Sequence, residues 1–107
     1  MDSGGLAPVY IAPMRASDCA GCSDAIVVAN YHGPDDTTDQ KGAGVASFHI
    51  GDDCSLTKGD SVPIDGHSID PSRQGASHVH SVLLDAKGSN DSSARFFACD
   101  LGAGPLR

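Results

Sequence analysis

His78-Val79-His80-Ser81-Val82-Leu83-Leu84-Asp85, HVHSVLLD, with RFFACDLG at residues 95–102 after a polar loop, is the stretch from which the organisation of this 107-residue chain is read. On an extended strand successive side chains alternate faces, so His78, His80 and Val82 are expected on one side and Val79, Ser81 and Leu83 on the other. Histidine is the side chain whose ordinary pKa allows proton transfer near neutral pH, so two imidazoles on one face suit acid/base or anion-binding chemistry. His78 and His80 are therefore candidate catalytic residues. The plainer alternative is a pair of rings on a half-exposed strand.

Moving towards the amino terminus, the apolar residues fall in short runs divided by Gly, Asp, Ser and Pro, the pattern of a chain of short strands. Residues 9–12 read as a strand between Pro8 and Pro13, and AIVVAN at 25–30 as a strand buried on both faces. GVASFHI at 44–50 alternates as a half-buried strand should. GDDCSLTKGD at 51–60 reads as a turn, and 61–64 as a short edge strand marked by Pro63. Between these lie polar loops at 14–24, 31–42 and 65–76. No helix is required, since Gly and Pro are frequent and are the poorest helix formers.

The pattern restarts at His78. Placing Pro8 on His78 puts Val9 on Val79, Tyr10 on His80, Ala29 on Cys99 and Asn30 on Asp100, an offset of 70 without a gap. A repeat of four short strands is the mark of a propeller blade. The fold expected is all-β: antiparallel four-stranded blades of a β-propeller in an incomplete ring. Residues 4–76 form a first blade with inserted loops, and residues 77–107 the start of the next.

Composition narrows the class. Leu, Ile, Val and Phe make up less than a fifth of the chain, and the formal net charge is -7 with only seven Lys and Arg. Nucleic acid and anionic membrane surfaces need a basic footprint and are not expected as partners. The amino terminus carries no signal-peptide pattern and no stretch reaches transmembrane length, so a cytoplasmic protein is expected. Cys19, Cys22, Cys54 and Cys99 should then be reduced thiols. Cys19 and Cys22 form a CxxC, but no second CxxC or CxxH follows to complete a zinc site.

GGLAPVYI, AIVVANYHG, GVASFHIGDDCSLT, HSIDPSRQ, SHVHSVLLDAKG and FFACDLG, in that order, resemble successive signatures of the seven-bladed propeller lactonases. That family comprises propeller-type 6-phosphogluconolactonases and fungal carboxy-cis,cis-muconate cyclases. The resemblance runs from about Gly4 to Gly102. Seven blades close such a ring and remove its exposed strand edges, whereas this chain holds about one and a half. It is therefore read as a fragment, expected to hydrolyse no lactone in isolation.

The resemblance implies a lactone hydrolase acting on a small-molecule sugar lactone, 6-phosphogluconolactone giving 6-phosphogluconate. Alternatives are a lactonising cyclase at the same cleft and a non-catalytic binding propeller. It places His78 and His80 near the central cleft as base or substrate contact, without saying which acts. Arg73 in the DPSRQ loop is the candidate for binding carboxylate or phosphate, because a guanidinium makes two parallel hydrogen bonds. Asn30, Tyr31 and Asp100 are further candidate substrate contacts, with turn formation the competing role for Asn30 and Asp100. Ser81 lacks the G-x-S-x-G surroundings of a serine nucleophile. The resemblance calls for no metal and no cofactor.

Overall fold

The computed structural model describes residues 2–18, 22–32, 43–72, 74–85 and 95–103. Their strands are β1 (Leu6–Met14), β2 (Ala25–His32), β3 (Gly44–Ile50), β4 (Leu56–Pro63), β5 (Val79–Leu84) and β6 (Phe96–Asp100). β1 to β4 form an antiparallel sheet in chain order, and β5 and β6 a second antiparallel sheet. The architecture is all-β, as expected, and the described residues form no closed ring. The one helical turn among them is a short 3-10 segment, Ala16–Asp18, held where the Arg15 N–H donates to Asp18 (2.6 Å) and the Ala16 N–H to Asp24 (2.8 Å).

AIVVAN occupies the middle of the first sheet, and Ala25, Val27, Val28, Ala29 and Asn30 are all buried. β4 is an edge strand, which Pro63 ends opposite Gly44. It begins earlier than the sequence reading placed it. LTKGDS carries too little apolar content to signal a strand, yet Leu56, Thr57 and Lys58 pair with Ile50, His49 and Phe48. The turn is confined to residues 51–55, where Cys54 takes a positive φ of 64°. Likewise β2 continues through Tyr31 and His32, which the reading gave to a loop; the rest of that insertion, residues 33–42, lies outside the described residues.

The two sheets face each other. Ala12, Val27, Ala29 and Ala43 on one face of the first meet Val79, Val82 and Ala98 of the second, with Val45, Ile64 and Phe96 at the margin. The small alanines let the backbones approach, and Val82 and Phe96 fill the space between them. The opposite face of the first sheet carries its own cluster of Val28, Ala46 and Phe48, flanked by Ile26 and Leu56.

The repeat is visible in the register, with one correction. Tyr10 pairs with Ala29, and Ser81 with Cys99. Cys99 is 70 residues after Ala29, but Ser81 is 71 after Tyr10, so the gap-free offset fails in the first strand of each unit. Both strands skip one residue at the same place, Val9 in β1 and His80 in β5. Such a bulge inserts one residue and re-aims its neighbours.

A second correction concerns the cysteines. Cys22 is disulfide-bonded, its partner lying outside the described residues, whereas Cys54 and Cys99 are free thiols. The expectation of four reduced thiols rested on compartment alone.

Candidate functional site

The bulge changes how the histidines are presented. His78 precedes β5 rather than lying on it, and is buried at 4 % exposure, while His80 is the bulged residue and is exposed. Strict alternation therefore does not put them on one face. The tertiary fold brings them together instead, through Tyr31 at the end of β2. The His78 ring stacks on the Tyr31 ring with centroids 4.3 Å apart and planes 13° from parallel. His80 approaches the same ring edge-on at 6.4 Å and 80°. The His78 Nδ1 lies 3.4 Å from the Tyr31 carbonyl oxygen, a contact that a protonated Nδ1 would donate. The three rings sit at the rim of the seam between the sheets, Tyr31 from one and both imidazoles from the other.

Asp100 explains why His78 is so firmly placed. One carboxylate oxygen, Oδ1, accepts from the N–H groups of His78 (2.9 Å), Gly102 (2.8 Å) and Ala103 (2.9 Å). The other accepts from the Ser77 hydroxyl. Burial raises the cost of the charge, but these donors outweigh it and hold the carboxyl below its ordinary value. The Leu101 N–H donates to the His78 carbonyl (2.9 Å), pinning that residue from the other side. Gly102 is obligatory, because a Cβ there would run into the Ala76 carbonyl oxygen and come within 3.0 Å of the His78 nitrogen. The DLG of RFFACDLG is thus a clamp on the residue before β5.

Asn30 occupies the matching place in the first sheet and is also buried. Its side chain donates to the Ser3 carbonyl (3.1 Å) and accepts from the Ser3 hydroxyl (2.9 Å). In each unit, the polar group ending the second strand ties down a serine on the segment that enters the first.

A cleft of about 370 Å³ adjoins Tyr31, lined also by Asp70, Gln74 and Leu101. Tyr31 and Leu101 are themselves repeat equivalents, 70 residues apart. Asp70 and Gln74 belong to the loop leading to β5, whose turn is closed by the Gln74 N–H on the Asp70 carbonyl (2.6 Å) and by the Ser72 N–H and hydroxyl on the Asp70 carboxylate (3.0 and 2.6 Å). Neither residue was singled out from the sequence. The sole hint was their position in the DPSRQ segment. Arg73, which was singled out, lies outside the described residues. His49 and His67 are exposed.

Among the described residues no group of three or more His, Cys, Asp or Glu converges as a metal site, and no helix is long and apolar enough to cross a membrane. No curated protein and no solved structure matches the chain. Residues 12–107 do match the family described as lactonase, 7-bladed beta-propeller. That span begins within β1 and includes β2 to β6 and the whole cluster around Tyr31. A sheet stacked on its own repeat is what a propeller requires of its sequence, and the chain belongs to the seven-bladed β-propeller lactonases.

Proposed function

We propose that the rim of the seam between the two sheets binds and opens a sugar lactone, with 6-phosphogluconolactone as substrate and 6-phosphogluconate as product. Family membership supports a lactonase-type function in general. The observation that carries the reading to particular residues is the single aromatic ring with two imidazoles on it, beside a cleft of about 370 Å³.

Lactone hydrolysis needs a base for the attacking water and a proton for the leaving ring oxygen. His80 is exposed and is given both tasks. Its imidazole takes a proton from water as the water oxygen bonds to the carbonyl carbon. The tetrahedral oxyanion then collapses, the ring C–O bond breaks, and the imidazolium returns the proton to the departing oxygen, leaving the open-chain hydroxy acid. His78, stacked and clamped, is a positioning residue that fixes the Tyr31 ring. Tyr31 offers a flat surface for the sugar ring, and Arg73, next to Gln74, is assigned to the phosphate. Asn30 and Asp100 are assigned to holding the strand entries.

The stable product is the practical probe. Titrating 6-phosphogluconate into the chain labelled at histidine and tyrosine is expected to shift the His80 and Tyr31 resonances saturably at millimolar ligand, and His80→Ala is expected to remove the response at Tyr31. Turnover by the isolated chain is expected to stay at the uncatalysed rate, because the open cleft excludes little water. Absence of any shift at the three rings would remove the basis for placing the substrate there.

A further inference from the structure

Gln74 is fixed by hydrogen bonds at its backbone and at one end of its side chain. Its backbone N–H donates to the Asp70 carbonyl (2.6 Å), and its own carbonyl accepts from the Ser68 N–H (2.9 Å). The side-chain oxygen, Oε1, accepts from the Asp70 N–H (3.3 Å). A backbone N–H can bond only to the oxygen end of a carboxamide, so this contact decides which end is which. Asp70 is anchored in turn, its Oδ1 accepting from the Ser72 N–H and hydroxyl. All of these bonds lie within residues 68–74, so the orientation of the amide is set locally.

What remains is the Nε2 group, with two N–H donors and no acceptor among the described residues. Gln74 is half-buried and lines the cleft of about 370 Å³ with Tyr31, Asp70 and Leu101. His80 stands edge-on to the same Tyr31 ring, with centroids 6.4 Å apart. One aromatic ring therefore has an imidazole at its edge and a primary amide in the cleft beside it. With the Asp70 carboxylate also in that lining, an oxygen that turns negative there needs a donor all the more.

We propose that Gln74 is the donor to the lactone carbonyl: Nε2 binds that oxygen in the substrate and holds it more tightly as water adds and the oxygen becomes negative. This assignment rests on reading the cleft as the place where a lactone opens. There His80 moves the proton, Tyr31 carries the sugar ring and Arg73 meets the phosphate, which leaves the carbonyl oxygen without a donor. Preorganised N–H groups at such an oxygen contribute about 10²–10³ in rate in other hydrolases. The same donor sets a preference for a ring that carries a carbonyl over the matching ring ether, which leaves the N–H groups unpaired.

Gluconolactam, an uncharged and hydrolytically stable ring with the same carbonyl, is the probe, and the anhydro ring ether that lacks the carbonyl is its control. In the isotope-labelled chain the lactam is expected to move the Gln74 side-chain N–H₂ resonances saturably and in step with those of Tyr31 and His80. The ring ether is expected to leave the N–H₂ resonances in place. Gln74→Glu keeps an oxygen for the Asp70 N–H and replaces the donor with an acceptor, so the turn survives, which the Ser68 and Asp70 amide resonances will check. It is expected to bind the lactam about tenfold more weakly, and the neutrality of the lactam removes net-charge repulsion as the cause. A lactam that shifts both rings while the Gln74 N–H₂ stays still overturns the proposal and leaves the lactone-opening cleft standing. So does equal binding by wild type and Gln74→Glu. No response at Tyr31 or His80 to either compound overturns both. The wild-type N–H₂ response needs no variant, and it decides alone if the turn moves in Gln74→Glu.

Discussion

The first two strands of the first sheet and the two strands of the second follow one plan up to their last residues and then part. In both, a bulge in the first strand, Val9 or His80, directly follows the residue paired with a buried polar side chain, Asn30 or Asp100. Beyond that, β2 runs on through Tyr31 and His32, whereas the chain after Asp100 turns at Leu101, Gly102 and Ala103. The extension carries Tyr31 over to the second sheet, and the turn locks His78 beneath it. One scaffold therefore supplies an aromatic platform from one copy and imidazoles from the other, with the difference confined to a few residues at strand ends.

The sharpest test of that division is Gly102→Ala. Its repeat counterpart is His32, where β2 continues as a strand and does not turn. At position 102 a methyl would meet the Ala76 carbonyl and the His78 nitrogen, both backbone. The turn cannot persist with such an overlap, and a loss on the order of 4 kcal/mol is expected, with the Tyr31–His78 stacking gone. Thermal unfolding together with ring-to-ring nuclear Overhauser contacts would measure both. Retention of the stacking in a stable variant would mean the turn is not what places His78.

Next in size are the two polar strand ends. Asp100→Asn removes the charge that four donors address and sets an amide N–H₂ near them, at a cost of about 2–3 kcal/mol at neutral pH. Because the folded chain holds this carboxyl below its ordinary value, its stabilisation is full above that ordinary value. It is lost as the pH falls through the lower, folded one. The gap between wild type and variant in urea unfolding should accordingly narrow in acid. Asn30→Asp adds a charge where Asp100→Asn removes one. It sets a carboxylate against the Ser3 carbonyl, which accepts where a donor is needed, and should cost about 1–3 kcal/mol near neutrality and less in acid. A gap that did not change with pH in either variant would show that charge at that strand end has no bearing on stability.

Most of the strand pattern was legible in the sequence because it rests on side-chain alternation and on apolar runs, as in AIVVAN and GVASFHI. The equivalence of Asn30 and Asp100 was legible for the same reason. The bulges were not, since an inserted residue shows only when the partner strand is known, and one such residue moved His80 off the face it was assigned. β4 was read too short because LTKGDS lies on a sheet edge with little to bury. Asp70, Gln74 and Leu101 meet Tyr31 only through the stacking of sheets, which no local pattern encodes. The histidine pair was found for a reason that proved incomplete: the rings converge through Tyr31 and the DLG clamp, not through a period of two.

The smallest expected effect on stability belongs to the bulge itself. His80→Val makes the second unit match the first, where Val9 occupies the same bulge position at 43 % exposure. An exposed residue at a site already shown to accept valine should change unfolding free energy by no more than about 0.5 kcal/mol. The response of Tyr31 to 6-phosphogluconate should nonetheless vanish, since the edge-on imidazole is the only group altered at that ring. A separation of this kind, stability kept and binding lost, assigns His80 to chemistry rather than architecture. If stability fell instead by the amount expected for Asp100→Asn, the imidazole would be part of the scaffold and the two bulges would serve the same purpose.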